Sequence, residues 1–160
     1  MIEVAPRLYV GDDRAFQLLQ EPLSWGVVHA CKEPYHRMAL GYTKQGAPKE
    51  HPEYLFCVRD GHLILNLVDV EDPKYVSRQI IDEAITYIDR RLKSGLRVLV
   101  HCNQGQSRGP GIAFAYLAFT GQLPKGFAAA EDAFTKLYPD YAPKQGIRGY
   151  LMNNWDMLRP

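Results

Sequence analysis

Neither sign of charge dominates this chain: 19 Lys+Arg stand against 18 Asp+Glu in 160 residues, a formal net charge of +1. That balance argues against a partner gripped through bulk charge, whether nucleic acid or an acidic membrane face, because either needs a basic excess gathered on one surface. Long apolar runs are missing as well. The longest uncharged stretch, Gly109 to Pro124, is broken by glycine, proline and polar residues, and it falls short of the roughly 18 to 20 apolar residues of a spanning helix. No export signal is expected where Glu3, Pro6 and Arg7 occupy the place of its apolar core. Cysteine is scarce, with 3 residues. The odd count and uneven spacing of Cys31, Cys57 and Cys102 suit free thiols in a reducing, cytoplasmic setting better than a disulfide framework.

What is present suits one domain over residues 1–160. A chain of this length, 46% hydrophobic and 23% charged, buries roughly 70% of its unfolded surface and needs no metal or disulfide to fold. Arg7 to Val10 is a short strand candidate ending at Gly11; Asp12 or Asp13 caps a helix over Arg14 to Gln20, which Pro22 stops. Trp25 to Ala30 is a second strand. From Lys32 to Gly61 the periodicity vanishes among repeated prolines and glycines, which predicts an irregular insertion. His62 to Val68 is almost wholly apolar, as in a strand covered on both faces, and places Asp69 at its C-terminal edge.

An apolar stripe through Ile80, Ile81, Ala84, Ile85, Ile88 and Leu92 predicts a helix over Val76 to Lys93, stopped at Gly95. Leu96 to Val100 follows as a buried strand. The strand, helix and strand in this order form a right-handed βαβ unit with parallel strands whose C-terminal ends share one sheet edge. Helices are expected over Gly109 to Phe119, Lys125 to Tyr138 and Lys144 to Leu158. The fold class is therefore α/β, with a central, mostly parallel sheet flanked by helices.

The segment VLVHCNQGQSRGP (Val98 to Pro110) concentrates the chemistry. A buried strand ends at His101, Cys102 opens a loop, Arg108 closes it and a helix begins at once. Gly105 permits a tight turn, so the amides of Asn103, Gln104, Gly105, Gln106 and Ser107 can converge on an anion beside the positive end of the helix. The planar fork of Arg108 matches two phosphate oxygens. A cysteine in that field is expected to act as a thiolate, so Cys102 is the candidate nucleophile for phosphoryl transfer to sulfur. The departing oxygen needs a proton. Asp69 and Asp72 are the candidate general acids, and Asp69 is preferred because a strand end fixes geometry better.

With these residues the chain resembles the cysteine-based protein tyrosine phosphatase superfamily, and within it the dual-specificity branch. The signature HCxxGxSR stands as His101, Cys102, Gly105, Ser107 and Arg108, and RLYVGD (Arg7 to Asp12) is similar to that branch's opening strand and turn. The resemblance implies the phosphatase-like fold, with the phosphate loop between a strand and a helix. It also implies two steps: phosphocysteine formation, then hydrolysis by water with Asp69 as base. His101 takes a supporting role. The sequence departs from the family at two places. Gly109 stands where a Ser or Thr hydroxyl usually helps the thiolate leave, with Ser107 as the nearest substitute. In APKQGI (Ala142 to Ile147), Lys144 replaces a usual Asn and has either substrate phosphate or a neighbouring carboxylate to meet.

The expected function is that of a phosphomonoester hydrolase, a protein tyrosine or dual-specificity phosphatase, working as a monomer without cofactor. Its partner is a phosphorylated protein or a small phosphate ester. The uncharged Asn103, Gln104 and Gln106 give no support to multiply phosphorylated lipids. A module that binds phosphorylated partners without turnover is the alternative, favoured by Gly109. A thiol redox role ranks third, since no resolving cysteine lies nearby in sequence. His29, Cys31, His36, His51, Cys57 and His62 are zinc-ligand types, but their spacing matches no compact metal site. The insertion is read instead as a rim over the pocket, with Lys32, His36, Arg37, Lys44 and Lys49 facing anionic substrate.

Overall fold

The computed structural model describes residues 1–160. Its strands are β1 (Ile2–Ala5), β2 (Leu8–Gly11), β3 (Gly26–His29), β4 (Phe56–Arg59), β5 (His62–Leu65) and β6 (Val98–His101). The helices are α1 (Asp13–Gln17), α2 (Arg37–Leu40), α3 (Arg78–Lys93), α4 (Arg108–Phe119), α5 (Phe127–Leu137), α6 (Gln145–Asn153) and α7 (Trp155–Leu158). One sheet runs in the order β1-β2-β6-β3-β5-β4. Its four inner strands are parallel, and an antiparallel strand closes each edge. No helix is long and apolar enough to cross a membrane.

Fully buried side chains on β3, β5 and β6 are what inner strands covered on both faces require. Most of the core lies under α3 and α4. Helix α3 turns Ile80, Ile81, Ala84, Ile85, Ile88 and Leu92 inward, and Ser77 caps it through the Ile80 amide. Helix α4 is buried from Gly109 to Ala118, as expected of a helix apolar on every side. On the opposite face a smaller cluster of Trp25, Val27 and Leu99 packs with Tyr9, Phe16 and Leu19.

Five features depart from expectation. The insertion is not irregular throughout: it contains a wide turn over Lys32–His36, α2 and the edge strand β4. Strand β4 pairs with β5 across Asp60-Gly61, both with positive φ (54° and 77°), the backbone that a two-residue hairpin turn demands. Strand β1 was not anticipated. It joins β2 through Pro6-Arg7, and the φ of 64° at Arg7 is held by its guanidinium on the carbonyls of Leu92 and Leu96 (2.9 and 3.3 Å).

Strand β5 stops at Leu65, so Asp69 lies in the loop beyond the strand and not at its edge. The strands of the βαβ unit are parallel but not neighbours, because β3 lies between β5 and β6. Finally, the last helix breaks at Asn154 into α6 and α7, while Ile147, Tyr150, Leu151, Trp155 and Leu158 all face the core.

Candidate active site

Strand β6 delivers Cys102 to the C-terminal edge of the sheet, and α4 starts directly after the loop, at Arg108. Gly105 turns this loop with φ 69°, and a Cβ there would lie 3.0 Å from the Asp12 nitrogen and 3.1 Å from the Gly11 carbonyl carbon and oxygen. A side chain would lift the loop off the end of β2. The Gly105 carbonyl accepts from Tyr138 Oη (2.7 Å), the Gln106 carbonyl from the Ala142 amide (2.8 Å) and the Asn103 carbonyl from the Asp13 amide (3.3 Å). With its carbonyls bound outward, the loop rests on three separate elements. Gly109 lets α4 begin hard against β6: a Cβ would lie 3.1 Å from both the Cys102 nitrogen and the His101 carbonyl carbon.

The loop encloses a cavity of about 320 Å³ walled by Asp69, Cys102, Asn103, Gln104, Gln106, Ser107, Arg108, Ala142 and Lys144. Of the loop residues expected there, Gly105 alone lies off the wall and serves as the turn. Cys102 is 2% exposed and lines the cavity. Arg108 is fixed by the Leu67 carbonyl on Nη1 (3.0 Å) and Asn103 Oδ1 on Nη2 (2.7 Å), while its Nε is buried and unpaired. An unpaired buried guanidinium N–H beside a cavity is an open anion donor. Asn103 is itself anchored, since its Nδ2 donates to the Glu33 carbonyl (2.9 Å).

Asp69 and Asp72 separate clearly. Asp69 Oδ1 accepts from Ser107 Oγ at 2.8 Å, and the same hydroxyl accepts from the Lys144 amide at 2.9 Å. Asp72 instead caps the turn Pro73–Tyr75 through the Lys74 amide (3.0 Å) and lies outside the cavity. Since the single Ser107 proton is given to Asp69, this hydroxyl serves the carboxylate and does not replace the one missing at Gly109. Lys144 reaches the Glu71 carboxylate at 3.7 Å while lining the cavity.

The cations of the insertion do not form the expected rim. His36 is fully buried, hydrogen-bonded to Tyr42 Oη and the Glu53 carbonyl, and burial pushes its pKa down. Arg37 is spent on Glu33 and on the carbonyls of Tyr42, Lys44 and Gln45. Lys32 Nζ donates to the Gln45 carbonyl. Lys49 lines a separate surface groove with Gln79, Asp82 and Glu83 of α3, and Lys44 has no place on the cavity wall.

Behind Cys102 lies a buried aromatic cluster. His101 Nε2 and His29 Nδ1 are 2.7 Å apart, His101 stacks on Phe16, and His29 stacks on Tyr35, whose hydroxyl donates to Asp13. Burial pushes the His101 imidazole from 6.5 down to about 4, against the pull of Asp13, the Cys102 backbone and Asp12. His29 falls to about 2, through burial first and then the positive charges of His101 and His62. Cys31, at the end of β3, is close enough to feel Arg108 and Cys102, yet burial pushes its thiol up to about 12.

Depressed imidazoles make the fold acid-sensitive. Below pH 6.5 the unfolded chain binds protons that the folded chain refuses, so stability is full above that pH and falls as pH drops. The loss ends near pH 4 for His101 and continues below that for His29, at about 1.4 kcal/mol per pH unit for each histidine. Thermal unfolding midpoints are therefore expected to fall steadily from pH 6.5 to 4, and a flat profile between pH 6.5 and 5 would contradict this reading of the cluster.

No family model matches the chain. Solved structures match nearly all of it. Human DUSP28 superposes with a TM-score of 0.69 at 20% identity, covering 98% of this chain and 93% of that one. A human tyrosine phosphatase-like serine/threonine/tyrosine-interacting protein gives 0.67 at 19%, with 97% and 95% covered. The Yvh1 phosphatase domain from Chaetomium thermophilum gives 0.62 at 21%, with 94% and 91% covered. A mixed six-stranded sheet with a central strand feeding a short loop at the start of a buried helix gives this chain the fold of the dual-specificity phosphatases.

Proposed function

We propose that the protein is a cysteine-dependent phosphomonoester hydrolase, a protein tyrosine or dual-specificity phosphatase. The observation that carries this reading is one cavity walled by Cys102, Arg108 and Asp69 together. Cys102 Sγ attacks phosphorus as the ester P–O bond breaks, and Asp69 gives its proton to the departing oxygen. The loop amides and Arg108 Nε–H hold the equatorial oxygens through the transition state. Water then attacks the phosphocysteine, Asp69 takes its proton, and the S–P bond breaks to return the thiolate and release phosphate.

One observation favours a second reading, in which the domain grips phosphorylated partners with little turnover. Position 109 has no hydroxyl, and that of Ser107 is held between Asp69 and the Lys144 amide. Release from para-nitrophenyl phosphate separates the readings. Steady turnover that Cys102→Ser abolishes is the expected result. A stoichiometric burst that stalls points to a slow second step. No release with retained phosphate binding supports the module, and release indifferent to Cys102→Ser excludes the mechanism. In the same assay Asp69→Ala is expected to cost about 10² to 10³-fold, and Asp72→Ala less than about threefold, since its carboxylate only caps a turn.

A further inference from the structure

We propose that Lys144 is a specificity-determining residue: its ammonium receives a carboxylate that the substrate carries on a residue flanking the phosphorylated one, so the cavity selects phosphopeptides with acidic neighbours. The inference rests on the proposed reading of the cavity as a phosphatase site and names the substrate class of that site.

The backbone at Lys144 is pinned. Its amide donates to Ser107 Oγ at 2.9 Å, its carbonyl accepts from the Arg148 amide at 3.1 Å, and two residues on the Gly146 amide donates to the Val70 carbonyl at 3.1 Å. These bonds hold the start of α6 against both the loop of Cys102 and the loop of Asp69. The side chain is held only loosely. It is half exposed, and its ion-pair partner is the Glu71 carboxylate at 3.7 Å, itself mostly exposed. An exposed pair contributes little, so the ammonium can exchange Glu71 for an anion on the substrate.

Folding alone does not account for a lysine at this place. Lys144 is the N-cap of α6 and makes no side-chain capping bond. An N-cap favours Asn, Asp, Ser or Thr, whose oxygen accepts from a free amide of the first turn, while a cation adds to the positive end of the helix. Lysine is the costlier choice for the helix, and what it brings is a charge on the cavity wall.

The wall also limits which anion fits. Apart from Arg108, which serves the reacting phosphate, Lys144 is its one cation, and the amide side chains of Asn103, Gln104 and Gln106 are neutral. One ammonium matches the single charge of a carboxylate; a second phosphate, with nearly two charges and three acceptor oxygens, calls for more donors than it supplies. Since the Lys144 amide is bonded to Ser107, the ammonium lies within one side chain's length of the loop, where a residue adjoining the phosphorylated one passes.

Peptide binding to Cys102→Ser, followed by fluorescence anisotropy, tests the proposal without turnover. Three phosphotyrosine peptides differ only in the residues flanking the phosphotyrosine: glutamates, glutamines or phosphoserines. The glutamate peptide is expected to bind about fivefold more tightly than the glutamine peptide, and the phosphoserine peptide within about twofold of the glutamate one. Adding Lys144→Asn is expected to bring the glutamate and glutamine peptides within about 1.5-fold of each other. The same change gives α6 a cap and is expected to raise the thermal unfolding midpoint by about 2 to 4 °C. Lys144→Arg keeps the charge and is expected to keep the preference. Equal binding of the glutamate and glutamine peptides overturns the proposal, as does binding of none of the three or a preference that survives Lys144→Asn. A weakening by Lys144→Asn that is the same for all three assigns the ammonium to the reacting phosphate and also overturns it. A phosphoserine peptide favoured by about tenfold or more overturns the carboxylate as the group received. Release from para-nitrophenyl phosphate by the original chain is read separately: its absence removes the hydrolase reading, while the preference among peptides stands or falls on its own.

Discussion

Arg108→Lys is expected to lower steady phosphate release by about 10³-fold or more while the fold survives. A lysine keeps the charge but loses the planar fork, so it cannot hold the Leu67 carbonyl, Asn103 Oδ1 and an anion together. Removing one well-placed donor to a developing oxyanion costs about 10² to 10³-fold, and here the orientation of the donor is lost as well. Stability changes less. The Leu67 carbonyl keeps a partner in the Lys32 amide (3.0 Å), which leaves Asn103 Oδ1 as the main acceptor deprived, worth about 1 kcal/mol. Steady-state release and thermal unfolding measured on the same preparation separate the two effects. A loss of activity below tenfold would place the anion somewhere other than on this guanidinium.

Gly146→Ala is expected to act on Asp69 from the far side. The Gly146 amide donates to the Val70 carbonyl at 3.1 Å, and a Cβ at this position would lie 2.1 Å from that oxygen and 2.8 Å from the Val70 carbonyl carbon and Cγ2. No rotamer relieves a clash between two backbones, so Val70 must move and carry its neighbour Asp69 with it. Overpacking of this kind costs about 1 to 3 kcal/mol. The loss in turnover is expected to approach that of Asp69→Ala, about 10²-fold, and to be steepest for esters with poor leaving groups, which depend most on a proton donor. A variant with unchanged unfolding temperature and an unchanged leaving-group dependence would show that the loop does not rest on α6. Gly149→Ala meets a side chain instead, Pro73 Cγ at 2.4 Å, and is expected to be milder.

Much of the architecture was legible in the residues. Periodicity located α3, β6 and the buried α4, and the run HCNQGQSR identified the loop because strand, turn glycine and helix start each constrain a different residue. What escaped did so for physical reasons. Asp60-Gly61 is a strong hairpin signal after the apolar Phe56-Cys57-Val58, but that short, half-exposed edge strand was passed over among the prolines and glycines that precede it. Strand β1 turns through Arg7 in a conformation usually left to glycine, made tolerable by carbonyls almost ninety residues away. Strand pairing across a crossover cannot be read from adjacency in sequence, so β3 came between β5 and β6 unannounced. Asp69 lines the cavity, although it lies in the loop beyond the strand and not at the strand end. Ser107, Arg108 (on the Leu67 carbonyl) and α6 hold that loop through contacts that carry no local pattern. The same applies to Asn103, whose tie to the Glu33 carbonyl depends on the path of the insertion.

The sheet order has a further consequence for the time scale on which different parts of the molecule open. Strand β6 is bonded on both sides by parallel neighbours, β2 and β3, and each of these is shielded from its open edge by further pairing. Amide hydrogens of Val98 to His101 are therefore expected to exchange with solvent only through whole-molecule unfolding, whereas those of β1 and β4 exchange by fraying. Cys102 is thus attached to the segment expected to exchange slowest. Asp69 belongs to a loop whose protection depends on a few side-chain and backbone clamps, so the weakest point of the cavity wall under thermal stress is expected at Asp69.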